Sequence, residues 1–218
     1  MKCIYCKYPY TYLLKDHQRK CGRCKRKFSP LKLAREEKLC SLFIEGYNAT
    51  EASKETGMHF STVQKHYEKF RRIIALHADK EYQLHNERVT SYDEYLYLPK
   101  SLKVEENINR LQQFLTLSYD NKIYNLMMPT IQHYKFDTDD EQEKKLLLKY
   151  LRFNKVAKIT KSENTITQFW DFFEGFILQY KGVSDEQFVF YLKEAEWRFN
   201  YSKSELIKSL ELSYRFKI

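Results

Sequence analysis

Cys3-Ile4-Tyr5-Cys6 and Cys21-Gly22-Arg23-Cys24 are two Cys-x-x-Cys pairs with fourteen residues between them. Each Cys-x-x-Cys pair turns both of its sulfurs toward one point, and two pairs supply the four thiolates that tetrahedral zinc prefers. A disulfide pair, a redox Cys-x-x-Cys and exposed thiols in a disordered tail are the alternatives. Nothing in the sequence indicates secretion, and a redox motif needs only one pair. The spacing therefore predicts a zinc ribbon over residues 1–30 with a structural zinc. Its predicted ligands are Cys3, Cys6, Cys21 and Cys24.

The length and composition of the chain indicate a folded protein. Its 218 residues are 43% hydrophobic, which is enough for one large domain or two to three small ones. No apolar run approaches twenty residues, and the chain opens on Met1 and Lys2, so we expect neither a membrane span nor a signal peptide. A reducing, cytosolic compartment follows from this expectation. The fifth cysteine, Cys40, lies in an apolar helical pattern and is predicted to be a buried small side chain.

The positive charge is concentrated at one end of the sequence. Residues 1–38 contain twelve Lys and Arg against three acidic residues, which is the whole formal net charge of +9. A basic module of this size is typical of contact with a phosphate backbone, and a merely soluble basic surface is the alternative. The predicted phosphate contacts of the ribbon surround its second cysteine pair. They are Arg23, Lys25, Arg26 and Lys27.

The next segment, residues 31–76, predicts a helix-turn-helix. A helical pattern begins after Pro30 and can stop at Gly46, and the range 48–57 can form a short helix capped by Asn48 or Thr50. After the turn at Gly57, a second helix is expected from Ser61 or Thr62 through Arg72, with Met58 and Phe60 filling the turn. The outward residues of this helix are predicted to be Thr62, Gln64, Lys65, Lys69, Arg71 and Arg72.

These outward side chains suit a DNA major groove. Gln and Lys can hydrogen-bond to base edges, while Thr, Lys and Arg can hold phosphates. An ordinary helical hairpin with a solvated polar face is the alternative, because many hairpins have this pattern. The position of the segment directly after a basic ribbon favours binding to double-stranded DNA.

A mixed α+β domain is predicted over residues 92–218, after a linker over 77–91. Alternation predicts a strand over 92–98, and Tyr119-Asp-Asn-Lys122 predicts the turn of a hairpin between two further strands. A helix over 139–153 and a short strand over 156–159 are expected next.

Three helices are predicted at the C-terminal end. They begin near Asn164, Phe188 and Ser204, and the first carries an aromatic stripe. Such a stripe is usually core, and base stacking by Trp170 or Trp197 is the alternative. We also expect these aromatic helices to build a homodimer.

With these segments in place, the chain resembles bacterial insertion-sequence transposases that carry a zinc ribbon, a helix-turn-helix and a ribonuclease-H-like core. The resemblance covers most of the chain. It rests on the ribbon ending over residues 21–29, on Tyr92-Asp-Glu-Tyr95, on Asn164-Thr-Ile-Thr-Gln-Phe-Trp170, on Lys181-Gly-Val183 and on the segment 191–200. It implies a multi-domain fold whose last part is a shortened ribonuclease-H-like domain with C-terminal helices.

The resemblance also implies a reaction, namely cleavage and strand transfer of DNA by two Mg²⁺ or Mn²⁺ ions held between three carboxylates. Asp93 fits the first carboxylate of that family. Where the family has its last acid, this chain has Thr167. Asp137 and Glu174 are the candidates for the second and third carboxylates, although the acidic run at Asp137 also fits a helix start stabilised by the helix dipole. Further candidates are Asp139, Asp140 and Glu163.

Three functions follow from this reading. The first is a transposase-like protein of the bacterial cytoplasm and nucleoid, which binds specific double-stranded DNA sites through its zinc ribbon and helix-turn-helix and whose nuclease centre is degenerate. The second is an active metal-dependent transposase. The third is a zinc-ribbon adaptor that binds protein and has no salt-dependent affinity for DNA.

Overall fold

The computed structural model describes residues 1–97, 112–128 and 164–215. These residues form an α+β protein with six helices and two small antiparallel sheets. The chain divides into two compact units. The first contains Met1–Leu76 and Tyr201–Ile218, and the second contains His77–Asn200.

The N-terminal segment is a three-stranded antiparallel sheet. Strands β1 (Thr11–Leu13), β2 (Arg19–Cys21) and β3 (Lys27–Phe28) pair in the order β1-β2-β3. Phe28 is buried together with Cys3 and Cys21, and Leu33 of the following helix packs against them. The small apolar core of this sheet is therefore built around its cysteines.

Three helices follow: α1 (Pro30–Glu45), α2 (Ala49–Thr56) and α3 (Phe60–His85). The predicted stop of α1 is confirmed, because Gly46 adopts a left-handed conformation with φ of 92°. The cap of α2 is Asn48, whose side chain accepts hydrogen bonds from the backbone N–H groups of Thr50 and Glu51. These caps explain why the helices begin and end where the sequence predicts.

The three helices share an aromatic core. Phe43 of α1 contacts Tyr67 and Phe70 of α3, with ring centroids 4.8 and 5.3 Å apart. The side chain of Ala52 on α2 is fully buried, which lets α2 approach its neighbours closely. The prediction that Phe60 fills the turn is wrong, because this ring is exposed on the first residue of α3.

The sheet of the second unit consists of β4 (Val89–Tyr97), β5 (Gln112–Tyr119) and β6 (Lys122–Met127), paired antiparallel in that order. The predicted hairpin is confirmed. Its two-residue turn, Asp120 and Asn121, has positive φ angles of 46° and 61°. Asp and Asn tolerate this left-handed conformation, which matches the twist of the flanking strands.

Helices α4 (Thr165–Ile177) and α5 (Asp185–Asn200) pack on this sheet, and α6 (Lys203–Arg215) belongs to the first unit. All three predicted C-terminal helices are confirmed. The aromatic stripe of α4 is core, since it packs against β4, β5 and α5. Its buried members are Ile166, Phe169, Trp170, Phe173, Phe176 and Ile177.

The units differ from the predicted domains in two places. The predicted linker over 77–91 is instead the end of α3, one 3-10 turn over Asn86–Arg88 and the start of β4. The last residues, 201–218, group with the first unit and not with the predicted domain over 92–218. The helix and strand expected over 139–153 and 156–159 lie outside the described residues.

Candidate metal centre and basic face

The four predicted cysteines come together in the first unit. Their sulfurs lie within 4.8 Å of one another, with Cys3 Sγ 3.7 Å from Cys24 Sγ and Cys6 Sγ 3.5 Å from Cys21 Sγ. A tetrahedral zinc with Zn–S bonds of about 2.3 Å separates its sulfurs by about 3.8 Å. No disulfide joins these cysteines. The cluster therefore has the donors and the spacing to hold a metal ion such as zinc.

The two cysteine pairs have the same pattern of backbone hydrogen bonds. The N–H of Cys3 donates to the carbonyl of Tyr8 at 2.8 Å, and the N–H of Cys21 donates to the carbonyl of Arg26 at 3.0 Å. Each bond joins the first cysteine of a pair to the residue five positions later. Two equivalent turns thus aim four sulfurs at one point, as two zinc-binding knuckles require.

Backbone donors support negative charge on one of the sulfurs, that of Cys21. The N–H groups of Arg23 and Cys24 lie 3.3 and 3.4 Å from Cys21 Sγ. Burial raises the pKa of Cys21, but these N–H groups and the neighbouring thiols outweigh burial and lower the pKa to about 6. Because metals bind the thiolate, donors that stabilise the thiolate also favour a coordinated metal.

Each knuckle carries a lysine in a left-handed conformation. Lys7 and Lys25 directly follow the second cysteine of their pairs, and their φ angles are 58° and 60°. Glycine adopts this conformation without strain, whereas another residue pays about 1 kcal/mol or more. Lysine therefore occupies a backbone position where glycine would be more stable.

The predicted phosphate contacts of the ribbon lie at its surface. Arg23, Lys25, Arg26 and Lys27 are all exposed. The guanidinium carbon of Arg26 lies 5.1 Å from the ring centroid of Tyr5, which orients one of these cations against the ribbon. The second knuckle thus presents four positive charges to solvent beside the metal centre.

Helix α3 presents a second row of polar and basic side chains. Thr62, Lys65, Lys69 and Arg72 are exposed and recur at intervals of three and four residues, so they form one stripe, which we call the α3 stripe. At a rise of about 1.5 Å per residue the stripe is about 15 Å long, comparable with the width of about 12 Å of a major groove. Buried Val63, Tyr67 and Phe70 hold the opposite face of the helix.

Two residues predicted to face outward on this helix, Gln64 and Arg71, do not belong to the α3 stripe. Arg71 is 3% exposed, and its guanidinium carbon lies 5.8 Å from the ring centroid of Phe43. The prediction that Arg71 faces outward is wrong, because the position follows Tyr67 and Phe70 on the buried side of the helix. Gln64 is half-buried at the edge of the stripe.

The start of α3 is fixed by a residue that the sequence did not single out. His59 Nδ1 pairs with Ser61 Oγ at 2.8 Å, and the carbonyl of His59 accepts from the N–H of Thr62 at 2.9 Å. Ser53 Oγ donates to the carbonyl of Met58 at 2.7 Å, which holds the turn against α2. Histidine is an uncommon cap, so composition gave no signal for it.

Two of the predicted catalytic carboxylates lie in the second unit. Asp93 is exposed on β4 and shares a face of that strand with Tyr95, whose hydroxyl donates to Glu174 Oε1 at 3.0 Å. Burial and the Glu174 carboxylate raise the pKa of Tyr95, so this hydroxyl stays protonated as a donor. Asp137 lies outside the described residues, as do Asp139, Asp140 and Glu163.

Among the described residues, the four-cysteine cluster is the one group of three or more Cys, His, Asp and Glu side chains that can hold a metal ion. Within the described residues, Asp93 and Glu174 do not form a metal-binding group with any third ligand. Thr167 has a structural role instead, because its hydroxyl and the Asn164 side chain form a capping box at the start of α4. The hydroxyl of Thr167 therefore stabilises the start of α4, and this role does not need a carboxylate.

The tryptophans considered for base stacking are not available. Trp170 is 2% and Trp197 is 3% exposed. The ring of Trp170 stacks on Tyr95 at 3.7 Å, and its Nε1 donates to Thr116 Oγ1 at 3.0 Å. Both rings are core residues of the second unit.

Comparison of the chain with family models, with curated proteins and with solved structures gives no match. The resemblance to transposases therefore stays a prediction. A search of the described helices finds none with both the length and the apolar character needed to cross a bilayer.

Proposed function

We propose that the chain binds specific double-stranded DNA sites through the α3 stripe and the basic knuckle of a zinc ribbon. The observation that carries the proposal is the α3 stripe itself. It places Thr62, Lys65, Lys69 and Arg72 on the exposed side of a helix whose other side is buried. A three-residue turn, Gly57 to His59, precedes this helix and follows α2, as in helix-turn-helix proteins.

The basic knuckle adds affinity that is independent of sequence. Arg23, Lys25, Arg26 and Lys27 belong to the same compact unit as the α3 stripe. Contacts to phosphates position a protein on DNA, whereas contacts to base edges select the sequence. We therefore assign the ribbon cations to phosphates and Lys65 with its neighbours on α3 to base edges.

Zinc in this proposal is structural. All four donors are sulfur, and two of them, Cys3 and Cys21, are buried in the core of the ribbon. Four thiolates complete a tetrahedral shell and leave no position for water or substrate. The bound metal would hold together a segment whose own apolar core is small.

The transposase-like ancestry of the chain also belongs to the proposal, with a ribonuclease-H-like second unit and a degenerate nuclease centre. The non-acidic Thr167 supports the degenerate centre, because its hydroxyl accepts from the N–H of Asn164 and so caps a helix. The protein would act as a homodimer in the bacterial nucleoid, on element ends or a promoter. Since the aromatic face of α4 is buried within its own unit, the dimer contact must involve other residues.

Selection of binding sites from random duplex DNA tests the main proposal. The wild-type protein should enrich a defined sequence, and Lys65→Ala and Gln64→Ala should each change the enriched bases or weaken their enrichment. Lys181→Ala removes an equal charge from an exposed position outside the first unit and should leave the sequence unchanged. If neither α3 substitution alters site preference, the assignment of α3 as the recognition helix is wrong.

A second candidate is an active transposase that uses Mg²⁺ or Mn²⁺. Its support is the position of Asp93 on the face of β4 from which Tyr95 reaches Glu174. Cleavage of a DNA end that requires either metal ion and disappears in Asp93→Asn would establish this function. If the DNA is unchanged after incubation with both ions, the active transposase is ruled out and DNA binding is the remaining function.

A further inference from the structure

We propose that the outer face of the ribbon sheet binds an unpaired polynucleotide strand by stacking its bases on tyrosine rings. This tyrosine-lysine face is defined by Tyr8, Tyr10, Tyr12, Lys20 and Lys27. It goes beyond the duplex binding proposed for the α3 stripe and the basic knuckle, shares only Lys27 with them, and depends on tyrosines that duplex binding does not use. The two activities can therefore fail separately.

Strand alternation separates this face from the metal centre. In the sheet register Tyr12 lies opposite Lys20, and Lys20 lies opposite Lys27, so these three side chains form a row across all three strands. Cys21 and Phe28 occupy alternate positions of β2 and β3, point to the other side and are buried. The row of Tyr12, Lys20 and Lys27 thus lies on the side of the sheet away from the metal centre, while Tyr8 also packs against the ribbon core.

The tyrosines form a continuous surface over a glycine. A Cβ on Gly22 would lie 3.3 Å from Tyr12 Cε2 and 3.5 Å from Tyr8 Cε1, so both rings border the space that this glycine leaves open. The ring of Tyr10 meets Tyr8 edge to face, with centroids 5.7 Å apart. A side chain at Gly22 would therefore disturb the arrangement of these rings.

The exposure of these rings is unusual for structural residues. Tyr10 is 67% and Tyr12 is 62% exposed, so neither ring contributes much to a core. Flat aromatic side chains beside cations are the chemistry that binds single strands, because every base has a face that can stack and every nucleotide has a phosphate. In a duplex those base faces are already stacked on each other.

The charge of the ribbon favours a polyanion over an apolar protein partner. Asp16 is the one acidic residue in the sequence from 1 to 28, and it lies in the turn between β1 and β2, where its carboxylate accepts from the N–H of Gln18 at 3.1 Å. The tyrosine-lysine face itself contains two lysines and no carboxylate. We therefore commit to a nucleic acid strand as its occupant.

The test uses the full-length, zinc-loaded protein and fluorescein-labelled twenty-nucleotide strands of oligothymidylate and oligouridylate. Replacing both Tyr10 and Tyr12 by alanine should lower affinity for a single strand roughly five- to hundredfold. The matched double replacement by phenylalanine keeps the rings and should keep the affinity. Tighter binding of the wild-type protein to oligothymidylate than to oligouridylate would identify DNA as the preferred strand, and the reverse would identify RNA.

Two further measurements decide between stacking and other causes. The zinc content of each variant should equal that of the wild type, since both rings are exposed and the cysteines are untouched. Lys65→Ala should weaken binding to the selected duplex while binding to oligothymidylate stays unchanged. The proposal is overturned if the alanine and wild-type proteins bind single strands equally, if phenylalanine behaves like alanine, or if the wild type forms a dimer through this face and binds no strand.

Discussion

Helix α5 of the second unit buries several charged side chains, whereas the ribbon knuckle and the α3 stripe of the first unit expose theirs. In the first unit the cations of the ribbon knuckle and of the α3 stripe are exposed. In the second unit α5 buries a lysine and two glutamates, Lys193, Glu194 and Glu196. The ammonium of Lys193 lies 3.0 Å from Glu196 Oε2, and Arg198 donates to Glu194 Oε1 at 2.7 Å.

The buried charges of the second unit belong to a hydrogen-bonded network. Glu196 Oε1 accepts from the backbone and side-chain N–H groups of Asn125 at 3.0 and 2.9 Å, and Thr116 Oγ1 donates to Asn125 Oδ1 at 2.6 Å. Burial raises the pKa of Glu196, while Lys193 and Asn125 oppose that rise. A charge enclosed in this way cannot meet a ligand, whereas an exposed one can.

This contrast separates structural charge from ligand-binding charge. In the second unit the buried charges of α5 are paired internally, and their hydrogen bonds to Asn125 fix α5 on β6. In the first unit, some cations also serve the fold, since Lys38 Nζ donates to the carbonyl of Glu55 at 2.6 Å. The cations of the basic knuckle and α3 stripe are the ones whose removal should affect DNA more than folding.

The largest effect is expected from the metal ligands. Cys21→Ser should abolish zinc binding, unfold the ribbon and lower DNA affinity, because structural zinc contributes about 10–16 kcal/mol to the folding of small zinc domains. Zinc content and circular dichroism measure the change. Cys40→Ala is the matched control, since Cys40 lies in α1 outside the four-sulfur cluster and its replacement should leave zinc content unchanged. If Cys21→Ser bound zinc and DNA normally, the assignment of the four cysteines as ligands of a structural zinc would be wrong.

A smaller loss should follow from the network of the second unit. Lys193→Met leaves Glu196 buried without its partner, and breaking a buried pair in this way costs about 3–5 kcal/mol. Denaturant unfolding monitored by the fluorescence of Trp170 and Trp197 measures it. Lys181→Met, at an exposed position of the same unit, should change stability little. Equal stability of both variants would show that this buried charge is not structural.

Substitutions on α3 should lower DNA affinity and leave stability nearly unchanged, which is the reverse of the effect expected for Lys193→Met. Lys65→Ala should weaken binding to the selected duplex by about 1–3 kcal/mol, the value of one good contact to a base, while the free energy of unfolding changes little. Titration of labelled duplex and denaturant unfolding give the two quantities. A loss of stability that matches the loss of affinity would assign Lys65 to the fold.

The smallest effect should come from the strained lysines. Lys25→Gly relieves a left-handed backbone and should raise the stability of the zinc-loaded protein by up to about 1 kcal/mol, while it removes one proposed phosphate contact. Lys7→Gly is the matched control, since it relieves the same conformation in the other knuckle. We expect both variants to gain stability and only Lys25→Gly to lose DNA affinity. An equal affinity of the two would remove Lys25 from the DNA contacts.

Local signals in the sequence predicted much of this fold. Cysteine spacing predicted the four-sulfur cluster, Gly46 and Asn48 marked helix ends, and Asp120-Asn121 marked a hairpin turn. Each of these features depends on residues that are close in sequence or on a ligand set with a known spacing.

Features that depend on tertiary packing were not predictable in the same way. Arg71 fits a solvated face by composition, but the rotation of α3 places it beside Phe43. The buried network of Lys193 and Glu196 reads in the sequence as an ordinary charged helix face, because its partner Asn125 lies on a distant strand. The tyrosine-lysine face needs the strand register, which spacing alone does not give.

The dependence of duplex affinity on salt concentration is the sharpest test of DNA binding by this protein. If the four cations of the basic knuckle contact phosphates, the logarithm of the association constant should fall linearly with the logarithm of salt concentration, with a slope of about −3 to −4. The double variant Arg23→Ala, Lys25→Ala should have a slope shallower by up to about 2. A slope near zero for the wild-type protein would contradict DNA binding and favour an adaptor that binds protein.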